Sequence, residues 1–289
     1  MQTVQTIAEL RAALEPHRRS GSRIGLVPTM GALHAGHLAL IHQARSTCDV
    51  VVATIFVNPT QFGPNEDLDR YPRPLETDLQ ACGDAGVDLV FVPSNNEMYP
   101  PGGRFLSLAI HELTDHLCGA TRPGHFNGVL LVVNKLFNII QPTDAWFGQK
   151  DIQQLILLET MVREFNIPVR IHRGETVRED DGLALSSRNR YLTGEERSRA
   201  PQLNAELRGL QSLILTGALP DEAALAQALA GAASRLRANG FRIDYLSVVD
   251  ERTLQPRERV DPGHRYILAA AAWMGKTRLI DNIVLQSPG

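Results

Sequence analysis

Cysteine is scarce in this chain. Cys48, Cys82 and Cys118 are far apart, and no two form a Cys-x-x-Cys pair. That excludes a disulfide framework and a zinc knuckle, and it fits free thiols in a reducing cytoplasm. Long apolar runs are lacking too. The longest stretches, 128–140 and 266–274, are short, and Asn134 and Lys135 interrupt the first. Neither can span a bilayer as a helix, so no membrane association is expected. There is no excess of positive charge. The formal net charge is −3, which gives no general electrostatic reason to bind nucleic acid. Met1 to Arg19 has no continuous apolar core and no small-residue cleavage pattern, so a secretory signal is not expected. Internal repeats and low-complexity tracts are absent as well. What is present is 289 residues, enough for a large core and two domains.

The first 175 residues alternate strand-like and helix-like segments. Arg23–Val27 and Val50–Val57 are apolar runs that suit buried parallel strands, and Val87–Val92 is another, stopped at Pro93. Leu75–Ala85 is helix-like. Residues 124–140 carry a wide apolar stripe ended by Pro142, and Lys150–Phe165 is strongly periodic and stops before Pro168. Short strands are expected at Ala145–Phe147 and Val169–His172. This alternation predicts a doubly wound parallel sheet, with ligands outside the carboxyl ends of its strands. The composition shifts near residue 176. A polar stretch at 178–190 reads as a linker. Helical stretches follow near Thr193–Leu215 and Asp221–Asn239, then strand-like runs at 241–249, 266–274 and 277–285. The expected division is residues 1–176 and a smaller α+β domain over 177–289.

The most informative stretch is Pro28-Thr-Met-Gly-Ala-Leu-His-Ala-Gly-His37, directly after an apolar strand. A helix that begins there points backbone N–H groups and a positive end at one spot, where a phosphate is stabilised. His34 and His37 are three residues apart, so one helical turn places them on one side. Two imidazoles there can donate to phosphate oxygens and to charge that grows in a transition state. The plainer alternative is a pair of histidines that only cap the helix.

Three further segments bear chemistry. Gln61, in Asn58-Pro-Thr-Gln-Phe-Gly63, follows a strand and offers a donor and an acceptor to a substrate with hydroxyls and a carboxylate. In Trp146-Phe-Gly-Gln-Lys-Asp-Ile-Gln-Gln154, Gly148 allows close backbone approach and Lys150 supplies a point charge for phosphate. Asp151 can accept from ribose hydroxyls, and Gln154 lies one helical turn on. Leu185-Ser-Ser-Arg-Asn189 offers two hydroxyls and a guanidinium as a phosphate clamp. Other patterns are declined. Gly275-Lys-Thr277 resembles the end of a P-loop, but Ala270 stands at its first glycine. His34 and His37 lack the spacing and glutamate of a zinc-protease helix. His111 and His116 are expected to face solvent, and Glu66, Asp67 and Asp69 to form a solvated loop.

As an ordered set these segments resemble the pantothenate synthetase family, the ATP-dependent pantoate–β-alanine ligases. The resemblance covers nearly the whole chain. It rests on Pro28–His37, Phe56-Val-Asn-Pro-Thr-Gln-Phe62, Arg122-Pro-Gly-His-Phe-Asn-Gly-Val129, Phe147–Gln154, Thr176-Val-Arg-Glu179, Leu185-Ser-Ser-Arg-Asn-Arg-Tyr191 and Thr277-Arg-Leu-Ile-Asp-Asn282. The His-x-Gly-His element alone is shared by many nucleotidylyltransferases and class I aminoacyl-tRNA synthetases; the full series is more specific. Gln149 stands where many relatives carry glutamate, and Leu185 where many carry methionine.

The resemblance implies a Rossmann-like nucleotide-binding domain, a C-terminal α+β lid and a cytoplasmic homodimer. It implies that pantoate attacks the α-phosphate of Mg2+-ATP to give pantoyl adenylate and pyrophosphate, and that β-alanine then displaces AMP. By position, Met30, Gly31, His34 and His37 would line the ATP site, with His37, His34 and Lys150 catalytic. Gly148, Gln149, Lys150, Asp151 and Val177 would hold the nucleotide, and Leu185, Ser186, Ser187 and Arg188 its outer phosphates. Gln61 would contact pantoate and β-alanine, and Gln154 and Met30 pantoate. Direct protein ligands of magnesium are not assigned. Three alternatives differ in what they require. A nucleotidylyltransferase acting on phosphate monoesters requires a basic acceptor pocket at Gln61 and Gln154. A class I synthetase fragment requires a basic tRNA surface. A non-catalytic nucleotide-binding regulator is expected to have lost a histidine or Lys150.

Overall fold

The computed structural model describes residues 1–64, 66–102 and 106–286. It divides into two compact units. The first comprises 1–110, 122–149 and 157–175; the second comprises 111–121, 150–156 and 176–289.

The first unit is built on six parallel strands. They are β1 (Gln2–Val4), β2 (Ile24–Thr29), β3 (Val50–Ile55), β4 (Leu89–Phe91), β5 (Asp144–Gly148) and β6 (Arg170–Gly174). Their order across the sheet is β1-β4-β3-β2-β5-β6, and every pairing is parallel. The order therefore reverses between β2 and β5, and such a reversal opens a crevice beyond the carboxyl ends of the two strands. All six residues of β3 are buried. A strand covered on both faces reads as a continuous apolar run, which is why it is legible in the sequence.

Helices α1 (Ile7–Arg19), α2 (Ala35–Thr47), α3 (Leu75–Asp84), α4 (Asn95–Met98), α5 (Leu117–Thr121) and α6 (His125–Ile140) follow in chain order. β1 and α1 occupy residues that the sequence reading left unassigned. The signal for α1 was present: Thr6 and Glu9 form a capping box at its start. Helix α6 buries a wide stripe, including Phe126, Val129, Val133, Phe137 and Ile140. It ends at Gln141, whose φ of 50° is left-handed, and Pro142 prevents its return. Helix α7 (Ile152–Glu164) follows a single 3-10 turn at Gln149–Asp151, so the helix expected from Lys150 starts two residues later.

The second unit carries the antiparallel strands β7 (Phe241–Asp250), β8 (Arg265–Met274) and β9 (Thr277–Gln286), in the order β7-β8-β9. Its core packs Leu203, Leu207 and Leu236 against Leu268, Ile283 and their neighbours. The helical stretch expected over 193–215 is two helices, α8 (Gly194–Arg199) and α9 (Gln202–Leu215). Pro201 stands at the break, where it removes a backbone donor. Helix α10 (Glu222–Ala238) follows. The stretch at 178–190 is not a free linker. Arg178 bridges Ala184, and Ser187–Tyr191 forms a 3-10 helix. Polar residues read as a linker because ion pairs, not apolar burial, hold them.

Candidate active site

At the carboxyl end of β2 the chain turns abruptly. Gly31 has φ 78° and Ala32 has φ 51°. A side chain at position 31 would put its Cβ 2.9 Å from Asp78 Oδ2 and 3.1 Å from Ile55 Cγ2, so only glycine fits. Thr29 Oγ1 accepts from the Gly31 amide at 3.1 Å and donates to the Thr54 carbonyl at 2.6 Å. The turn delivers His34 to the N-cap position of α2.

The two histidines then order each other. The Gly36 amide donates to His34 Nδ1 at 3.1 Å, and the His34 amide donates to His37 Nδ1 at 3.3 Å. The ring centroids are 4.1 Å apart. A nitrogen that accepts an N–H bond carries no proton, so each neutral imidazole bears its hydrogen on Nε2. Capping and anion binding are thus one arrangement. The caps fix the tautomer in which both outer nitrogens are donors, beside the first amides of α2.

The loop after β3 holds Gln61. Asn58 is 1 % exposed and caps the 3-10 helix Pro59–Gln61. Its Nδ2 donates to Gln61 Oε1 at 3.0 Å and to the Gly128 carbonyl at 3.2 Å, and its Oδ1 accepts from Tyr99 OH at 2.8 Å. With Oε1 engaged, Gln61 presents its amide nitrogen, 3.3 Å from Met30 Sδ. Gly128 lets α6 approach this loop: a Cβ there would lie 2.1 Å from the Thr60 carbonyl oxygen. The backbone of Gln61 is held as well. Arg122 donates to His125 Nε2 at 2.9 Å, so His125 Nδ1 is the protonated nitrogen, and it donates to the Gln61 carbonyl at 2.7 Å.

Arg122 is fixed in turn by two bonds to Glu66, at 2.6 and 2.7 Å. Burial works against the Glu66 charge, but Arg122 outweighs it and holds the carboxyl below its usual range. Glu66 is therefore an ion-pair partner and not part of a solvated acidic loop. A cavity of about 430 Å³ is lined by Met30, Gly31, Phe56 and Asp78, among others, but not by His34, His37 or Gln61. It adjoins the histidine turn without containing the histidines.

Gly148 and Gln149 end the β5 segment of the first unit, and the space around Gly148 is open. In the second unit, Lys150 is half-buried, with Nζ 3.7 Å from Asp151 Oδ2. Its carbonyl accepts from Asn282 Nδ2 at 2.9 Å. Gln154 is half-buried in the first turn of α7. Leu185 donates its amide to the Val177 carbonyl, which ties together two segments expected to meet the nucleotide. Ser186 caps the 3-10 helix by accepting from the Arg188 amide at 3.2 Å, and Ser187 and Arg188 begin that helix. Beneath them Arg178 forms two bonds to buried Asp281, at 2.7 and 2.8 Å, and Asn204 adds a third at 2.9 Å. Glu179 accepts from Asn189 and Arg197.

His116 does not simply face solvent: its Nε2 lies 2.9 Å from Gln255 Oε1 and donates to it. Asp78, Asn58 and Asp281 hold the segments that carry the candidate residues, and sequence reasoning missed them as individuals. Asn58 carried a signal, a cap residue before a first-turn proline. Asp78 carried none, because its partners are 45 and 46 residues away.

Known proteins are similar to this chain along its whole length. A family model described as pantoate-beta-alanine ligase matches residues 2–284. The pantothenate synthetase of Alcanivorax borkumensis is 49 % identical over 285 residues, 99 % of this chain and 98 % of the relative. That of Moorella thermoacetica is 50 % identical over 286 residues, 99 % of each chain. The crystal structure of the Thermus thermophilus pantothenate synthetase superposes with a TM-score of 0.89 at 47 % identity, covering 98 % of this chain and 99 % of its own. The Francisella tularensis pantoate-beta-alanine ligase, solved with beta-gamma ATP and beta-alanine, gives a TM-score of 0.79 at 35 % identity, over 98 % and 97 %. With the motifs in order, the strand reversal at the histidine turn and these matches end to end, the chain belongs to the pantoate–β-alanine ligase family.

Proposed function

We propose that this chain condenses pantoate with β-alanine in two half-reactions centred on the histidine turn. The ATP-dependent ligation follows from the family to which the chain belongs. The course of the reaction follows from chemistry. A free carboxylate has no leaving group. A carboxylate oxygen of pantoate therefore forms a bond to the α-phosphorus of ATP, and the bond from that phosphorus to the bridging oxygen breaks, releasing pyrophosphate. The amine of β-alanine then attacks the acyl carbon of pantoyl adenylate, the carbon–oxygen bond breaks, and AMP leaves. The nitrogen gives up its proton as the amide forms. The mixed anhydride must be kept from water.

The single observation that supports this reading is the orientation of the two imidazoles. Their Nδ1 atoms accept backbone amides, so both Nε2–H groups are donors. In this scheme His37 and His34 stabilise charge at the α-phosphate and on the departing pyrophosphate, and Lys150 adds a point charge. Met30 and Gly31 line the nucleotide site. Gly148, Gln149, Asp151 and Val177 hold base and ribose, and Leu185, Ser186, Ser187 and Arg188 hold the outer phosphates. Gln61 donates its amide to pantoate and then to β-alanine, with Gln154 and Met30 completing the pantoate contacts. The two neutral groups bonded to the Gln61 side-chain amide, Asn58 and the Met30 thioether, favour a carboxylate or hydroxyl over a phosphate monoester.

Magnesium enters as the ATP complex. Among the described residues no three His, Cys, Asp or Glu side chains are grouped to hold a metal ion; bound with ATP, the ion would offset phosphate charge during adenylyl transfer. Residues 1–176 serve nucleotide and pantoate, and residues 177–289 act as a lid that excludes water. The working form is a cytoplasmic homodimer. Its free cysteines are buried, and among the described residues no helix is long and apolar enough to cross a membrane.

Isotope exchange between pyrophosphate and ATP tests the scheme. Exchange should require pantoate and no β-alanine, and the full reaction should yield AMP in step with pantothenate. ADP as the stoichiometric product would overturn it.

A further inference from the structure

The histidine turn rests on a carboxylate that comes from another part of the chain. Asp78, in the first turn of α3, is 2 % exposed. Its two oxygens divide between two successive amides. Oδ2 accepts from Ala32 and Oδ1 from Leu33, each at 2.8 Å. These amides belong to the turn in which Gly31 and Ala32 are both left-handed, with φ of 78° and 51°. Alanine avoids that region, because its Cβ crowds the backbone, and it stays there only when the surroundings hold it. Asp78 is the group that holds it. The next residue along the turn is His34, whose position as helix cap sets the hydrogen-bond geometry of both imidazoles.

We propose that Asp78 is a positioning residue for the adenylyl-transfer step. It touches no reacting atom. It fixes the turn at 31–33 so that His34 and His37 keep their Nδ1 acceptors engaged and their protons on Nε2. The proposal rests on the reading of these histidines as the phosphate donors. The carboxylate is needed in its charged, two-oxygen form: an asparagine retains one acceptor and turns an N–H toward an amide N–H. Shape is conserved and one of the two bonds is lost.

The test compares wild type, Asp78→Asn and the double variant Asp78→Asn/Ala32→Gly, with two readouts. One is pantoate-dependent exchange of pyrophosphate into ATP. The other is the 15N spectrum of the imidazoles at pH 8, which distinguishes the Nε2–H tautomer from its partner. Asp78→Asn should lower kcat for exchange about ten- to a hundredfold, the effect of losing a hydrogen bond to a charged group. The KM for ATP should change by less than about threefold, and the His34 and His37 signals should shift toward mixed tautomers. Glycine at position 32 removes the cost of the left-handed backbone, so the double variant should regain about three- to tenfold of the loss.

Should Asp78→Asn fail to fold, Gly31→Ala presses on the same carboxylate from the turn, 2.9 Å from Oδ2, and should move the same signals. Exchange within twofold of wild type together with unchanged signals would overturn the proposal. So would a loss of exchange with the tautomers intact, or one that Ala32→Gly leaves unrelieved. Signals that move while exchange holds would remove Asp78 from the reaction and, separately, remove the histidines from their proposed role.

Discussion

The histidine turn of the first unit is assembled mostly from its neighbours in the chain. Thr29 serves Gly31, Gly36 serves His34, and His34 serves His37, all within three residues. Thr54 and Asp78 reach in from elsewhere. The stretch at 178–190 in the second unit is tied down in the opposite way. Arg178 bonds Asp281, 103 residues away, and Asn204 bonds the same carboxylate across 77. Asn282 reaches Lys150 across 132. The first arrangement follows from turn chemistry and a helix cap, so it is local. The second exists only once β9 and α9 are in place. Damage to a long-range charge network should therefore register first in stability, and damage to the local turn first in turnover.

Asp281→Ala probes the long-range side of this comparison most severely. Asp281 is nearly inaccessible and its partner Arg178 is largely covered, so the change leaves an uncompensated cation. Removing one member of a buried pair costs about 3–5 kcal/mol. Urea unfolding should show that loss in the second unit. A change below about 1 kcal/mol would mean that the network adds nothing to what the apolar core already supplies.

His37→Ala probes the local side. Folding should be nearly unaffected, and ATP should bind within about tenfold of wild type. Turnover should fall by about two to three orders of magnitude, as when one transition-state donor is lost. Steady-state kinetics beside equilibrium nucleotide binding separates the two effects. Near-normal turnover would reduce His37 to a helix-cap partner and erase the contrast between the units.

A third test lies at the amino ends of β2 and β5, away from the histidine turn. Burial alone would raise the Asp144 pKa, but bonds from His172, Arg23 and Thr143 outweigh it and bring the carboxyl to about 2. His172 also stacks on Trp146 at 4.3 Å. A carboxyl whose folded pKa lies below its ordinary 3.8 stabilises the fold fully above about pH 4, and that stabilisation is lost as pH falls toward 2. Urea midpoints at pH 6, 4 and 3 should fall more steeply for wild type than for Asp144→Asn. The variant should be about 1–3 kcal/mol less stable at pH 6. Parallel pH profiles would show that this cluster carries no net stabilisation.

The smallest effects are expected at Leu185 and Gln149, the two positions that the sequence reading sets apart from the family pattern. Leu185→Met nearly conserves volume and polarity, and such exchanges cost under about 1.5 kcal/mol even in a core. Ser186 and the Arg188 amide, which shape that segment, are untouched. Gln149→Glu should also be mild, provided its side chain points away from the phosphates. Both variants should keep kcat and the KM for ATP within about threefold. A tenfold loss in either would show that the nucleotide site is tuned around the unusual residue.

Much of the sheet was legible because burial on both faces writes itself as apolar runs. β3 reads directly from residues 50–57. The same is true of the candidate histidines, since a strand, a glycine turn and a helix cap are written within ten residues. β1 and α1 were missed because a three-residue edge strand leaves no pattern, although the Thr6–Glu9 box was there to be read. The stretch at 178–190 was misread because charged residues mark linkers and buried ion-pair networks alike. Their pairing partners lie in β9 and α8.

The sequence by itself determined the strand–turn–helix junction, the donor and acceptor types offered by His34, His37, Gln61 and Lys150, and membership of the family. These depend on short spacings and residue types. Only the tertiary structure decided which nitrogen of each histidine carries the proton, which way the Gln61 amide faces, and which carboxylate holds the turn. The first two are set by bonds from residues within three positions, but Asn58 is itself anchored on Gly128, 70 positions on, and the turn on Asp78, 46 positions from Ala32. A bond of about 3 Å between residues dozens of positions apart leaves no periodicity in the sequence, so folding alone brings its two ends together.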